Sequence, residues 1–529
     1  MSQAKVNDSN KPASLAKAVS LHLEGKLPEA LDEINRAIEN GDASLEIFSA
    51  KAQIQFELEM FEEAAQSYAK LLSLNPRHAS ANLNMAVCLE RLGRWQEAVE
   101  FFEKAAEVQP DRVDARLGLG IALLHLDKAD QAAEYFDRVL QSQPDHTTAL
   151  FGKAVTLQLQ WHFDEAARIY QQILAQNPGF EECLINMVTI GMARKDHSMI
   201  SDYSEKLLTL RPNSQTALEG LATCAFAAGD YQAAQRYCAR LVEYTPESFD
   251  RWFNLGVAEQ KIGNREEAAK AYGEAVRLRP DASQAYVNLG VIYQESGDLA
   301  KARTAYERAL EITPDQLEVL HNLAAVYDKQ GSKDEAERLY TRLLAKNPDL
   351  EDVSFRLGYL RLERGDHRGA AEAFRACADK RADWPEAQLN LGIACWNIGD
   401  HEGAGKAFEG VLASNPESID ALRGLAALAV ERNEFDQALD YQARLIEKGE
   451  RSPELFYNTG LLLQKSGQLD DAVRLYREAL AEREQFPEAL LNLGHVLKSL
   501  GQQDEARDCW KRALEQKPDL AENYFGKAN

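Results

Sequence analysis

The sequence predicts an all-α solenoid, in which about fifteen helical hairpins of 34 residues follow one another without interruption. Two observations predict it: proline recurs at a constant spacing of 34 residues, and alanine recurs in a second register of the same period. The prolines in register are Pro76, Pro110, Pro144, Pro178, Pro212, Pro246, Pro280, Pro314 and Pro348, followed by Pro416 and Pro518. No insertion or deletion breaks either register, so one small structural unit is repeated along the chain.

The first half of each repeat predicts a helix. We number each repeat so that its proline is position 32, which starts repeat 1 at Lys11 and repeat 15 at Pro487. Positions 4, 7, 8 and 11 then lie on one helical stripe, and position 8 is small. Position 15 is glycine in most repeats, where it can end the helix in a left-handed conformation.

The second half of each repeat predicts a second helix, with its own stripe at positions 20, 24 and 27. Position 20 is alanine in fourteen of the fifteen repeats, and position 24 is mostly aromatic. The proline at position 32 pushes the residue before it out of the helical conformation and ends this helix. Small residues at positions 8 and 20 allow the two helices to approach closely. A single hairpin cannot bury its apolar surface, so neighbouring hairpins must stack.

The composition argues against several classes of function. The chain carries 84 acidic and 60 basic residues, a net charge of −24, whereas proteins that bind nucleic acid or anionic membranes need basic surfaces. No apolar stretch approaches the ~20 residues of a membrane span, and no secretory signal begins the sequence. The seven cysteines form no Cys-x-x-Cys pair. We therefore expect a cytoplasmic protein that binds no nucleic acid and does not insert into membranes.

The sequence contains no recognisable catalytic constellation. Its glycines recur at the hairpin turns instead of forming a phosphate-binding loop, and no His-Glu-x-x-His motif occurs. The histidines are solitary. We expect a non-enzymatic protein with no catalytic residues, no metal and no cofactor.

The repeat pattern resembles the tetratricopeptide repeat family. That family has a large apolar residue at position 4, Leu at 7, Gly or Ala at 8, Tyr at 11, Ala at 20, Phe or Tyr at 24, Ala at 27 and Pro at 32. Repeat 9 matches every slot with Tyr286, Leu289, Gly290, Tyr293, Ala302, Tyr306, Ala309 and Pro314. The resemblance extends from Lys11 to Leu520. It implies a right-handed superhelix whose first helices line a concave groove that binds a segment of a partner protein.

Asparagine recurs at position 6, on the stripe of the first helix that faces the groove in the family. Asparagine is unfavourable inside a helix by roughly 0.6 kcal/mol relative to alanine, so its recurrence calls for an explanation. A row of amides can pair with the N–H and C=O of a partner backbone, as in the asparagine ladder of the repeat arm of O-linked N-acetylglucosamine transferases, which this pattern resembles. The alternative is that each amide bonds within its own repeat or to a neighbouring helix. The residues are Asn84, Asn186, Asn254, Asn288, Asn322, Asn390, Asn458 and Asn492.

Position 2 is acidic in most repeats, and we include four of these residues in the predicted groove site. They are Asp250, Glu318, Asp352 and Glu386. An acid in the first turn of a helix is stabilised by the helix dipole, which is one explanation. The other is an acidic groove that attracts basic segments of a partner.

The register divides the chain into five parts. We expect a disordered tail at residues 1–10, repeats 1–5 at 11–180, a degenerate repeat 6 at 181–214, repeats 7–15 at 215–520, and a short cap or tail at 521–529. Repeat 6 departs from the pattern with Val188, Gly191, Ile200 and Ser204 at positions 8, 11, 20 and 24. These substitutions predict either a hinge between two arms or sequence drift with packing preserved.

The leading functional hypothesis is a scaffold that binds an extended polypeptide in its groove through the asparagine ladder. A second hypothesis is a targeting or regulatory subunit of an enzyme complex, such as a glycosyltransferase, whose catalytic part is on another chain. A third is a structural scaffold that self-associates through its repeat ends.

Overall fold

A computed structural model describes residues 11–381 and 383–520, and in this part of the chain every repeat forms two antiparallel α-helices. The all-α fold predicted from the sequence is confirmed. The predicted tail at residues 1–10 and the predicted cap at 521–529 lie outside the described residues. The helices are α1 Lys11–Leu23, α2 Leu27–Glu39, α3 Leu45–Glu57, α4 Phe61–Leu74, α5 Ala79–Arg91, α6 Trp95–Val108, α7 Val113–His125, α8 Ala129–Ser142, α9 Thr147–Leu159, α10 Phe163–Gln176, α11 Glu181–Arg194, α12 His197–Leu210, α13 Gln215–Ala228, α14 Tyr231–Tyr244, α15 Phe249–Ile262, α16 Arg265–Leu278, α17 Ser283–Glu295, α18 Leu299–Ile312, α19 Leu317–Lys329, α20 Lys333–Lys346, α21 Glu351–Glu363, α22 His367–Lys380, α23 Pro385–Asn397, α24 His401–Ser414, α25 Ile419–Glu431, α26 Phe435–Glu447, α27 Pro453–Lys465, α28 Leu469–Glu482, α29 Pro487–Ser499 and α30 Gln503–Gln516.

Position 15 is left-handed in all fifteen repeats, whether or not it is glycine. Gly297 and Gly331 have φ of 79° and 78°, as the sequence predicts. Five repeats place a residue with a side chain there, at a cost of roughly 1–2 kcal/mol each. These residues are Glu59, Asp127, Trp161, Lys195 and Asn433. The turn geometry is therefore imposed by the packing of the hairpin and not only by the glycine.

The second helices end where the sequence predicts. Thr313, immediately before Pro314, has φ −130° and ψ 88°, outside the helical region. Repeats 11 and 14 lack the proline, with Ala382 and Glu484 in its slot, and their second helices keep 14 residues. Repeat 13, with Glu450 in the slot, differs. Its second helix, α26, has 13 residues instead of 14 and is followed by the left-handed Gly449.

The core lies between the two helices of each hairpin and the first helix of the next repeat. The aromatic side chain at position 24 is its largest component, and Tyr306 and Phe136 are completely buried. A Cβ atom added to Gly290 would lie 2.5 Å from the ring of Tyr306, so position 8 must be small for the ring to fit. The small residue at position 8 thus leaves room for the ring, in addition to the close approach of the helices that the sequence predicts.

The hairpins stack so that successive first helices also contact one another. Such contacts join α5 to α7, α7 to α9, α11 to α13, α17 to α19, α21 to α23, α23 to α25 and α27 to α29. No two second helices are in comparable contact in the described part of the chain. Neighbouring hairpins of the same unit therefore approach one another more closely on the side of their first helices, which we call the first-helix face.

The chain consists of two compact units, Met1–Ala271 and Tyr272–Asn529, with the boundary inside α16. Repeat 6 lies within the first unit. Its core is closed, because Val188, Ile200 and Ser204 are all completely or almost completely buried. A Cβ atom on Gly220 would lie 2.5 Å from Ser204 Oγ, 2.9 Å from Ile200 and 3.1 Å from Val188. Larger residues at positions 8 and 20 thus fill the volume that the missing ring leaves. The role of repeat 6 as a hinge stays a prediction.

Candidate functional site

Position 6 of each first helix lies directly over the residue at position 24 of the preceding repeat. Where that residue is phenylalanine, position 6 is glycine in three repeats. A Cβ atom on Gly118 would lie 2.3 Å from the ring of Phe102, and one on Gly152 would lie 2.4 Å from Phe136. Gly424 stands in the same relation to Phe408. The identity of position 6 is therefore coupled to a ring that comes 16 residues earlier.

Where position 24 is tyrosine, the next position 6 is usually asparagine, and its amide binds the tyrosine hydroxyl. The amide nitrogen of Asn186 donates to Tyr170 Oη over 3.0 Å, as that of Asn84 does to Tyr68. Asn288 donates to Tyr272 over 3.2 Å. These amides satisfy polar groups of the fold, as the alternative explanation from the sequence proposes.

The hydroxyls of Tyr170, Tyr306 and Tyr476 donate in turn to a glutamine at position 12 of their own repeat, whereas Tyr68 donates to Gln53 at position 9. Tyr170 Oη donates to Gln158 Oε1 over 3.0 Å, and Tyr306 Oη donates to Gln294 Oε1 over 3.0 Å. Burial raises the pKa of Tyr306, while a hydrogen bond from Asn322 acts in the opposite direction. Each Asn–Tyr–Gln chain joins two repeats, and the sequence analysis did not identify it. Its signal was present in the sequence, as the pairing of Tyr at 24 with Asn at the next 6.

Three asparagines do not follow a tyrosine. The Asn390 amide donates to the Glu386 carbonyl of its own helix over 2.9 Å. Asn254 and Asn458 are exposed and have no hydrogen-bond partner among the described residues. Asn492 differs again, because it follows Tyr476 but donates to Tyr457 over 2.9 Å. The predicted row of asparagines is therefore not uniform. In Asn254 and Asn458 both the amide nitrogen and the amide oxygen are available to a ligand.

The acidic residues at position 2 line the same face. Asp250, Glu318, Asp352 and Glu386 are exposed. The last three have no cationic partner at ion-pair distance within the described part of the chain. Glu488, at the same position in repeat 15, instead pairs with Lys517 over 2.8 Å, and this hydrogen bond lowers its pKa. Repeats 10–12 thus present uncompensated negative charge on their first helices.

Other kinds of site have little support. The described residues contain no group of His, Cys, Asp and Glu arranged to hold a metal ion. All seven cysteines are free thiols, and burial raises the pKa of Cys88, Cys183 and Cys238 to about 12, which makes them poor nucleophiles. None of the helices described is both long enough and apolar enough to span a bilayer.

Solved structures with similar folds are shorter than this chain. The protein YrrB, described as a TPR protein with an unusual peptide-binding site, is 20% identical, with 35% of this chain and 96% of its own chain covered and a TM-score of 0.33. PilF of Pseudomonas aeruginosa is 22% identical, with 40% and 96% covered and a TM-score of 0.34. A tetratricopeptide repeat protein of Parabacteroides merdae is 17% identical, with 50% and 98% covered and a TM-score of 0.31.

Family matches cover almost all of the sequence, although no curated protein matches it. Residues 1–200 match the N-terminal ARM repeat of tetratricopeptide repeat protein 21. Profiles described as tetratricopeptide or TPR repeats match 219–261, 261–297, 281–349, 321–387, 355–419, 399–456 and 463–526. These matches agree with the hairpin geometry and with the proline, alanine and glycine registers. The chain belongs to the tetratricopeptide repeat proteins.

Proposed function

We propose that the protein is a non-catalytic scaffold whose first-helix face binds an extended polypeptide, with asparagine amides as a clamp on the partner backbone. The observation that carries this proposal is the exposure of Asn254 and Asn458, whose amides have no hydrogen-bond partner among the described residues. A primary amide offers donors and an acceptor together, which matches the N–H and C=O of one peptide unit. In the other repeats the amide nitrogen is engaged by a tyrosine or by a helix carbonyl, so the proposed clamp consists of Asn254 and Asn458.

The charge of the face favours a basic partner segment. Glu318, Asp352 and Glu386 project from successive repeats without cationic partners in the described residues, and the chain as a whole carries −24. Uncompensated charge on one face raises the association rate of oppositely charged segments and is screened by salt. For this function we expect a cytoplasmic, reducing compartment, in which the seven cysteines would be thiols.

A binding experiment with selected peptides tests the clamp. Unstructured peptides selected from a random display library on the full chain would be measured by fluorescence anisotropy. We expect the combined change Asn254→Ala and Asn458→Ala to weaken binding about ten-fold or more, because two desolvated peptide groups lose their partners. N-methylation of a single backbone nitrogen in the peptide should have a similar effect.

Asn186→Ala is the matched control, because its amide nitrogen is engaged by Tyr170. It should lower stability and leave affinity nearly unchanged. Equal affinity of the double variant and the unmodified chain would contradict the clamp. The pair Glu318→Gln and Asp352→Asn should reduce the salt dependence of binding, and an unchanged dependence would contradict a basic partner.

A further inference from the structure

Repeat 13 lacks the ring that fills the core of its neighbours. In repeat 12 the ring of Phe408 occupies the space between Gly392 at position 8 and Gly424 at position 6 of the next repeat. A Cβ atom on either glycine would lie 2.5 Å from the ring. The equivalent residues around position 24 of repeat 13 are Ala426 and Asn458, and position 24 itself is Gln442.

A cavity of about 450 Å³ lies at this place. Ala426, Gln442 and Asn458 all line it, together with Val430, Leu445 and Leu461. Ala427, Val430 and Asn458 are exposed, so the cavity opens on the first-helix face. Its volume falls in the range of ligand pockets, roughly 300–1,000 Å³. The space that an intramolecular ring fills in repeat 12 is therefore accessible from outside in repeat 13.

The cavity also contains an unsatisfied polar group. Gln442 is only 6% exposed, and its Oε1 is fully buried without a hydrogen-bond partner. A buried acceptor of this kind favours a ligand that brings a donor. Elsewhere in the chain a glutamine oxygen accepts a hydrogen bond from a buried tyrosine hydroxyl, as Gln464 does from Tyr476 over 2.8 Å.

We propose that this cavity is a side-chain pocket for a tyrosine of the bound polypeptide. The tyrosine ring would fill the space that the missing aromatic residue leaves, against Ala426 and Leu461. Its hydroxyl would donate to Gln442 Oε1, after the glutamine side chain turns to present this buried oxygen to the cavity. The glutamines that accept from tyrosine in the regular repeats lie at position 12 instead of position 24. The exposed amide of Asn458 at the rim would pair with the peptide group next to that tyrosine.

The proposal that a peptide occupies the pocket rests on the proposed function. The preference of the pocket for a tyrosine side chain is argued independently, from its lining. Phenylalanine would leave the buried oxygen of Gln442 without a donor. A lysine or arginine side chain would bring a donor, but Arg423 and Lys465 already line the cavity with one acid, Glu431, and a further positive charge would be repelled. Tyrosine is the side chain that satisfies both the apolar wall and the acceptor.

The side chain alone can be tested with p-cresol on the full-length protein, observed through the methyl NMR signals of Ala426 and Ala427. We expect saturable shifts of these signals in the millimolar range, and weaker binding of toluene by about ten-fold, because toluene has no donor for Gln442. Absence of binding would overturn the proposal, as would toluene binding equal to that of p-cresol. Tighter binding of 3-methylindole would also overturn the assignment to tyrosine.

Two variants of Gln442 and one control variant distinguish binding in the pocket from non-specific binding. Gln442→Tyr should fill the cavity from within and abolish p-cresol binding, whereas Gln442→Leu should bind p-cresol and toluene equally. Gln464→Leu, at position 12 of the next repeat and outside the cavity, should leave p-cresol binding unchanged. Binding of p-cresol that persists in Gln442→Tyr would contradict the proposal. If a variant fails to fold, the comparison of p-cresol with toluene on the unmodified chain still decides.

The pocket and the backbone clamp can fail independently. The chain could fail to bind p-cresol while the selected peptides require Asn254 and Asn458 but no tyrosine. This result would contradict the pocket and support the clamp. Conversely, the chain could bind p-cresol while peptide binding is unaffected by replacement of both asparagines. This result would contradict the clamp and support the pocket. Replacement of the peptide tyrosine by phenylalanine should weaken binding about ten-fold.

Discussion

Repeats 6 and 13 have both lost the ring at position 24, and they differ in what replaces it. In repeat 6 the small Ser204 is compensated by the larger Val188 and Ile200, and the core is closed. In repeat 13 position 8 remains the small Ala426, and a cavity opens beside Gln442. Loss of the ring therefore does not by itself create a site. In repeat 13 the surrounding residues keep the shape that a ring requires, and the space stays open. In repeat 7, where Cys238 replaces the ring, it packs in a buried cluster with Ala222, Val242 and Leu255.

An aromatic residue at position 24 should change stability most in repeat 6, whose core is closed. We expect Ser204→Tyr to destabilise the protein by roughly 1–3 kcal/mol, because the new ring would overlap Val188 and Ile200. Hydrogen exchange of α11 and α12 would measure the loss locally, against repeats 1–3 in the same molecule as the internal reference. Unchanged protection would mean that repeat 6 has space for a ring, and the contrast with repeat 13 would fail.

The same substitution in the open repeat should have the opposite sign. Gln442→Tyr should stabilise the protein by roughly 0.5–2 kcal/mol, since it fills a cavity and removes an unsatisfied amide oxygen. Hydrogen exchange of α25 to α27 would report the gain. A loss of protection in these helices would show that the cavity cannot accept a ring.

The regular repeats allow the hydroxyl to be separated from the ring. Tyr306→Phe should cost about 0.5–1.5 kcal/mol, because it leaves Gln294 without its donor. Tyr340→Phe is the matched control, because Arg356 follows it at position 6 and Tyr340 has no hydrogen-bond partner in the described residues. Urea denaturation followed by local exchange would measure both variants. Equal losses would show that the Asn–Tyr–Gln chains add nothing to the packing of the ring.

The smallest effect is expected from alkaline pH. Burial raises the pKa of Tyr68 to about 12, whereas tyrosine in an unfolded chain has a pKa near ~10. Between these values the folded protein holds a proton that the unfolded chain has lost. The contribution of Tyr68 to stability is therefore fully present below about pH 10 and is lost as the pH rises through about 12.

Absorbance at 295 nm and the urea midpoint would follow this alkaline transition together. Protection should be lost first in repeats with a tyrosine at position 24, and not in repeats 6 and 13. A uniform loss of protection along the chain would contradict this order.

The fold could be predicted from the sequence because its determinants are local and repeated. The left-handed position 15 and the proline at position 32 each act within a few residues, and both are found where the register places them. The roles of the asparagines could not be predicted in the same way. Asn254, Asn288 and Asn322 form one unbroken run in the sequence, yet Asn288 binds a tyrosine and Asn254 does not. The difference depends on position 24 of the preceding repeat, which is Cys238 for Asn254.

The cavity was still less predictable, because it depends on several volumes at once. Ser204 and Gln442 are both polar replacements of an aromatic residue, and only their neighbours decide whether the space closes. Those neighbours lie on three helices of two successive repeats. A pattern read one position at a time does not contain this information.

The most direct test is a crystal structure of the full-length protein soaked with p-cresol. A tyrosine pocket predicts a ring between Ala426 and Asn458, with its hydroxyl at hydrogen-bond distance from the Gln442 amide, and no ring beside Ser204. The proposed pocket would be contradicted if the cavity beside Gln442 contained no p-cresol, or if p-cresol bound only elsewhere on the molecule.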